Sequence, residues 1–395
     1  MSESHIYQFA QTLQDSASQH RRHIHRNPEL AFQEFQTADY AAKVLEELGF
    51  EVSRGFGKTG LVASLSTANE GSHFLLRFDM DALAVPEQTG LEFASTKAGF
   101  MHACGHDGHV SIGLTVAKIL ADMKNELPGS YYLVFQPAEE IGQGASAMIA
   151  DGVLDYIQPD YALAVHLWAE EPAGWLGITS GPVMAGSKDL SIKVRGVGGH
   201  SARPHKAVDP ILASAHLITA LQSIVSRKID PLESGVYSIT QIHAGSTINV
   251  IPDVVTLSGT PRYFTPEVEE EIETSTIRIC DGIAKAFGCE IEVNLGVNAP
   301  PLVNNPAVCQ AAEVAARTIS PKFLIEKNLR MMASEDMALF LQRIPGAMFF
   351  IGAGKEDPET RFPLHHPRFD IDESSLVTAA TLLLETCKQL ATTTL

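Results

Sequence analysis

The chain has 395 residues, more than one ordinary domain of roughly 100–200 residues needs, so two domains are expected. Hydrophobic residues at 45% and charged residues at 19% exclude a disordered, collagenous or coiled-coil chain. Acidic residues (47) outnumber basic ones (29), and a formal charge of -18 repels phosphate backbones and anionic lipid, which excludes nucleic acid and membrane surfaces as partners. The N-terminal stretch carries acids and polar residues where a secretory signal would need a basic start and an apolar run. Five scattered cysteines, none in a CxxC pair, argue against a disulfide framework, so a cytoplasmic protein is expected.

In chain order, a helical periodicity over 6–25 is stopped by Asn27 and Pro28, and a second over 34–48 ends at Gly49. Apolar runs at 61–65, 74–78, 131–135 and 161–165 read as strands, with an amphipathic helix over 110–123. This alternation predicts an α/β fold with a mainly parallel sheet. Ligands of such sheets sit beyond the carboxyl ends of the strands, which here carry Asp79, Asp81, Glu139, Glu140 and His166. The order then changes to strand 190–194, helix 210–227, strands 236–242 and 254–257, helix 267–287 and strand 290–295. That β-α-β-β-α-β plan is ferredoxin-like, complete in itself, and reads as an insertion over 187–298. Helices at 307–319 and 335–342, a strand at 348–351 and a helix from about 372 resume the first pattern. The parent domain is therefore discontinuous, 1–186 and 299–395.

The densest chemical signal is HACGHDGH at 102–109, where Cys104 and His106 can face one ion because glycines let the loop fold tightly. A capping loop with helix-face histidines is the plainer alternative. Glu139 and Glu140 follow a strand stopped by Pro137, and neighbouring residues leaving a strand point to opposite sides. One carboxylate can then bind metal while the other serves as a general base, as metal-assisted hydrolysis requires; a solvated acidic loop is the alternative. Asp79 and Asp81 suit a carboxylate accepting the free N–H of a metal-bound imidazole, or a turn cap. His166 at a strand end and His365-His366 in a loop are further candidate ligands. In the insertion, His200, Asn249 and Arg262 offer an imidazole, an amide and a guanidinium suited to gripping a carbonyl or carboxylate, against the simpler reading of a glycine turn with surface charges.

Seven ordered motifs, HRNPELAFQE at 25–34, DMDAL at 79–83, MHACGHDGHV at 101–110, FQPAEE at 135–140, GGHSARPH at 198–205, NVIP at 249–252 and LHHPRFD at 364–370, resemble the amidohydrolase branch of metallopeptidase family M20 nearly end to end. That branch includes hippurate hydrolases, aminoacylases and auxin-conjugate hydrolases. The resemblance implies a catalytic α/β domain with an inserted ferredoxin-like lid that forms a dimer interface. It implies two divalent metal ions per subunit, zinc or manganese first and cobalt or nickel next, held by Cys104, His106, Glu140, His166 and His365, the last with His366 as its rival. A bridging ligand, the Cys104 sulfur, and a bridging water or hydroxide are expected because five side chains serve two ions. It implies Glu139 as general base and acid, His200 polarising the scissile carbonyl, in some members across the dimer, and Asn249 with Arg262 gripping a substrate carboxylate. The expected reaction is hydrolysis of the amide bond of a small N-acyl amino acid, with a dipeptidase or carboxypeptidase as the alternative.

Overall fold

The computed structural model describes residues 4–67 and 69–392. Two compact units emerge: Met1–Val183 with Val303–Leu329 and Asp336–Leu395, and Met184–Leu302 with Arg330–Glu335.

The first unit opens with helices α1 (His5–Gln11), α2 (Gln14–His25) and α3 (Phe35–Glu47). Strands β1 (Glu51–Phe56), β2 (Gly60–Ser66) and β3 (Asn69–Asp79), helix α4 (His106–Met123) and strands β4 (Pro128–Gln136) and β5 (Tyr161–Pro172) follow. Its eight-stranded sheet has the order β1, β2, β4, β3, β5, Gly346–Gly354, Trp175–Gly177, Leu324–Glu326. Strand β3 is parallel to β4 and β5, and Gly346–Gly354 is parallel to β5, whereas β2 is antiparallel to both neighbours. Covered on both faces, the parallel strands read as unbroken apolar runs: Phe74, Leu75, Leu76 and Phe78 are all buried. Helix α4 lies close on this sheet because Gly113 has no side chain; a Cβ there would come within 2.7 Å of Phe78 and 2.8 Å of Phe135. These contacts place the N-terminus of α4 beside the carboxyl end of β3.

Three local expectations change, one of them the helix over 210–227, which is split at Gln222 into Pro210–Leu221 and Ser223–Arg227. The helix over 6–25 is broken at Thr12 and Leu13, where the Thr12 hydroxyl donates to the Phe9 carbonyl at 2.7 Å and competes with the helical ladder. The helix over 335–342 shrinks to Ala338–Leu341. Asp336 instead ties β3 and β4 together, accepting from Arg77 (2.9 Å), Gln136 (2.7 Å) and the Ala145 amide (2.9 Å).

The second unit is a four-stranded antiparallel sheet ordered Gly235–Ala244, Val254–Tyr263, Gly186–Arg195, Glu290–Ala299, with helices Pro210–Leu221 and Pro266–Phe287. Counted within the unit, the order is second, third, first, fourth, which is the ferredoxin-like arrangement. Both helices start on a side-chain cap followed by proline: Asp209 accepts from the Ile211 and Leu212 amides, Thr265 from that of Val268. Leu190, Ile192, Leu217, Leu257 and Ile272 form its core. The segment Arg330–Glu335 joins this unit through the Ala185 amide, which donates to Met331 (3.1 Å) and Ala333 (2.9 Å). Among the described residues, no helix is long and apolar enough to cross a membrane.

Candidate metal centre

The loop before α4 turns through Gly105 at φ +86°, a left-handed conformation that glycine adopts without strain, and delivers Cys104 and His106 to one buried spot. Donor atoms of Cys104, His106 and His166 lie within 4.8 Å of one another, and so do those of Cys104, Glu140 and His365. The two triplets share the cysteine. His166 Nε2 stands 3.6 Å from Cys104 Sγ, His365 Nε2 is 3.4 Å from Glu140 Oε2, and His106 Nε2 is 4.0 Å from carboxylate oxygens of both Glu139 and Glu140.

Hydrogen bonding sets which nitrogen each imidazole presents. His106 Nδ1 donates to the Asp81 carbonyl at 2.9 Å, with the Asp81 carboxylate 3.3 Å away, and His166 Nδ1 donates to the Leu167 carbonyl at 2.9 Å. Their Nε2 atoms face the cluster, as a ligand held in one tautomer should. His109, three residues beyond His106 and equally buried, behaves differently. Its Nδ1 donates to Asp79 at 2.6 Å and its Nε2 accepts from the Leu167 amide at 3.0 Å, so neither nitrogen is left for a cation. Asp79 therefore serves His109 and Arg77, and Asp81 serves His106.

Among the described residues, buried His106 Nε2 and Glu140 Oε1 have no hydrogen-bond partner. Burial without a partner is costly, and a cation between them satisfies both. Without it, burial lowers the basicity of His106, but the charges of Asp79, Asp81 and Glu140 outweigh burial and raise its pKa to about 10. Burial raises Glu140 to about 7 against the pull of His106. His166 is held well below its ordinary value, first by burial and then by His109. The donor set of thiol, imidazoles and carboxylate thus fits divalent metal ions.

Residues 75–389 match the model of peptidase family M20/M25/M40. The chain belongs to the M20 family. It is 38% identical over 371 residues to the N-acetyl-L-cysteine deacetylase of Bacillus subtilis, spanning 94% of this chain and 87% of that one. It is 40% identical over 369 residues to the hippurate hydrolase of Campylobacter jejuni, spanning 93% and 94%. A solved Bacillus subtilis structure described as a dinuclear metal binding peptidase of the M20 family superposes with a TM-score of 0.85 at 31% identity, covering 97% and 99% of the two chains. The chain is accordingly an M20 hydrolase of amide bonds, metal-dependent like its family.

In this M20 protein, Glu139 and Glu140 begin a short turn, Glu139–Ile141, that follows Ala138 at φ +54°. Both oxygens of Asp81 grip that turn, accepting from the Glu139 amide at 3.1 Å and the Glu140 amide at 3.0 Å. Of the two adjacent loop histidines, His365 joins the cluster, held at φ +66° with its amide donating to the Ala103 carbonyl at 2.7 Å. His366 stacks on Phe362 at 4.6 Å, and its Nδ1 accepts from the Arg368 amide. Sequence reasoning assigned no part to His109 or to the buried Glu34. The signal for Glu34 was its place at the end of the first motif, directly before α3.

Within the second unit, His200 and Asn249 come together. His200 pairs with Val250, the Asn249 carbonyl accepts from the Ser201 amide at 3.1 Å, and both side chains are exposed. Arg262 is half-buried and donates to the Met332 carbonyl at 2.6 Å. It pairs with Ser187 at one end of the ladder, whereas Val254 pairs with Arg195 at the other, and His200 with Val250 forms a separate two-stranded ladder past that second end. Eight strand residues at roughly 3.3 Å each put about 26 Å between Val254 and Arg262. The sheet does not bring Arg262 to His200.

Proposed function

We propose that this M20 hydrolase cleaves N-acyl amino acids to a carboxylic acid and a free amino acid, using two divalent ions held by Cys104, His106, Glu140, His166 and His365. The observation that carries the reading is the pair of donor triplets meeting at Cys104, with a Glu139 oxygen 4.0 Å from His106 Nε2. Relatives named for N-acetylcysteine and hippurate, both N-acyl amino acids, support the substrate class.

Bound divalent ions supply Lewis-acid activation of water and of the amide carbonyl. Glu139, its side chain only 11% exposed and its turn clamped by Asp81, takes the proton of the attacking water on a carboxylate oxygen and returns it to the departing nitrogen. Asp81 and the Leu167 carbonyl keep the protons of His106 and His166 on Nδ1, so Nε2 stays a donor. His200 polarises the scissile carbonyl, and Asn249 and Arg262 hold the substrate carboxylate. A thiolate among the ligands favours zinc, with manganese, cobalt and nickel as competitors. Because Arg262 lies about 26 Å along its strand from the end nearest the separate His200–Val250 ladder, a small substrate that meets both Arg262 and His200 draws them from two copies, which supports a homodimer. Five free thiols support a cytoplasmic setting.

The test is a panel of N-acetyl amino acids, hippurate and dipeptides, assayed on fresh enzyme, after chelation and after return of each metal. N-acyl amino acids should exceed dipeptides in kcat/KM by at least about tenfold, a gap of roughly 1.4 kcal/mol in transition-state binding. The reverse order would make the protein a dipeptidase or carboxypeptidase, the reading favoured by the neighbour described as a peptidase.

A further inference from the structure

Three successive backbone N–H groups, those of Ala138, Glu139 and Glu140, are each held by a buried carboxylate. The Ala138 amide donates to Glu34 Oε1 at 2.9 Å, and the next two donate to the two oxygens of Asp81. Ala138 is left-handed (φ 54°, ψ 38°) and the turn after it is helical, the alternation that points consecutive amides into one anion-binding hollow. Here the anions belong to the protein. Glu34 is fully buried, 104 residues away in sequence, and its Oε1 also accepts from the Phe32 amide at 2.9 Å while Oε2 accepts from the Thr59 hydroxyl at 2.6 Å. The far side of the loop is closed too, since a Cβ on Gly144 would fall 1.6 Å from the Pro137 carbonyl oxygen. Ala138, at positive φ, is held from both sides: its amide donates to Glu34 and its carbonyl accepts from the amides of Gln143 (3.2 Å) and Gly144 (3.1 Å).

We propose that Glu34 is a positioning residue of the hydrolytic site: by holding the Ala138 amide it fixes the turn that aims Glu139 and Glu140. The inference rests on the roles given to those two glutamates above. The contact needs reach and an acceptor, and Gln supplies both, because one oxygen already accepts both amides and the second atom can donate to Thr59. Asp keeps the charge and loses the reach.

The experiment compares Glu34→Gln, Glu34→Asp and Glu34→Ala by melting temperature, by hydrogen exchange at amides 138–140, by zinc competition against a chromogenic chelator, and by kcat and KM at saturating metal. Glu34→Gln should stay within about threefold of the native protein in every readout. Glu34→Asp should exchange amide 138 at least about tenfold faster, bind the second zinc more weakly, and lose about 10–100-fold in kcat with KM within about threefold. Native exchange, zinc affinity and kcat in Glu34→Asp would overturn the proposal. So would Glu34→Gln matching Glu34→Asp in lost kcat and lost melting temperature, since burial alone would then explain the residue. If Glu34→Ala does not fold, the Gln and Asp pair decides. If no amide is hydrolysed by the native protein, the functional reading fails, while exchange and zinc competition still judge Glu34.

Discussion

His106 and His109 sit one turn apart on the same buried helix, yet only His106 keeps a nitrogen for a cation, because Asp79 and the Leu167 amide consume both nitrogens of His109. Role at this scale is decided by hydrogen bonds, and that yields sharp expectations. Glu139→Gln should retain metal, measured by atomic absorption, and lose about 10²–10⁴-fold in kcat, because the proton acceptor is gone while the proposed ligands stay. Cys104→Ala removes the atom common to both triplets and should lose metal along with activity. Metal uptake should also release protons. His106, raised to about 10, is protonated at pH 7 and must lose that proton to bind, and Glu140, raised to about 7, is half-protonated there. Apparent affinity should therefore climb from pH 7 to 9, and calorimetry in buffers of different ionisation enthalpy should show the release; a pH-independent affinity would contradict the ligand assignment. The pairs Cys104 with His106 and Glu139 with Glu140 were legible as candidates because each is local in sequence, and the fold brings the two pairs together. Glu34 and His109 were not, because their parts depend on partners 104 and 58 residues away that no spacing reveals.

Between elements, α2 and α4 are joined by buried charge. Arg21, 1% exposed, donates to Asp107 at 3.0 Å, Asp370 at 2.7 Å and Glu373 at 3.1 Å, and His25 Nδ1 meets Asp107 at 2.8 Å. Replacing Arg21 by Met strands buried carboxylates, and should cost about 3–5 kcal/mol in urea denaturation. His25 gives the pH dependence. Burial lowers its pKa, but Asp107 and Glu87 raise it to about 9, above its ordinary 6.5. Protonated His25 thus stabilises the fold fully below pH 6.5, and this contribution is lost as pH rises through 9. Melting temperature should fall across that window, and the fall should be shallower in His25→Gln. Sequence periodicity found α2, α4 and the strands between them, since those carry the apolar repeat. It missed the break at Thr12, where a side-chain hydrogen bond outweighs periodicity, and the ion network, since charged side chains at 21 and 107 look like surface until the helices pack.

At the scale of the molecule, the ferredoxin-like order of the second unit was readable because its element sequence is complete in itself, but the position of residues along its strands was not. Arg262 and His200 were assigned to one substrate, and the strand between Val254 and Arg262 separates them. That separation makes the proposed dimer testable by complementation. His200→Ala and Arg262→Ala should each lose most activity as homodimers. Unfolded together and refolded, they pair at random, so about half the dimers are mixed and each of these regains one of its two sites, restoring about a quarter of native activity. That recovery requires the imidazole and the guanidinium at one substrate to come from different copies. If both came from the same copy, every site in every mixed dimer would still carry one defect and the mixture would stay inactive. Light scattering on the same samples fixes the dimer independently, and a monomeric, fully active native protein would remove the premise.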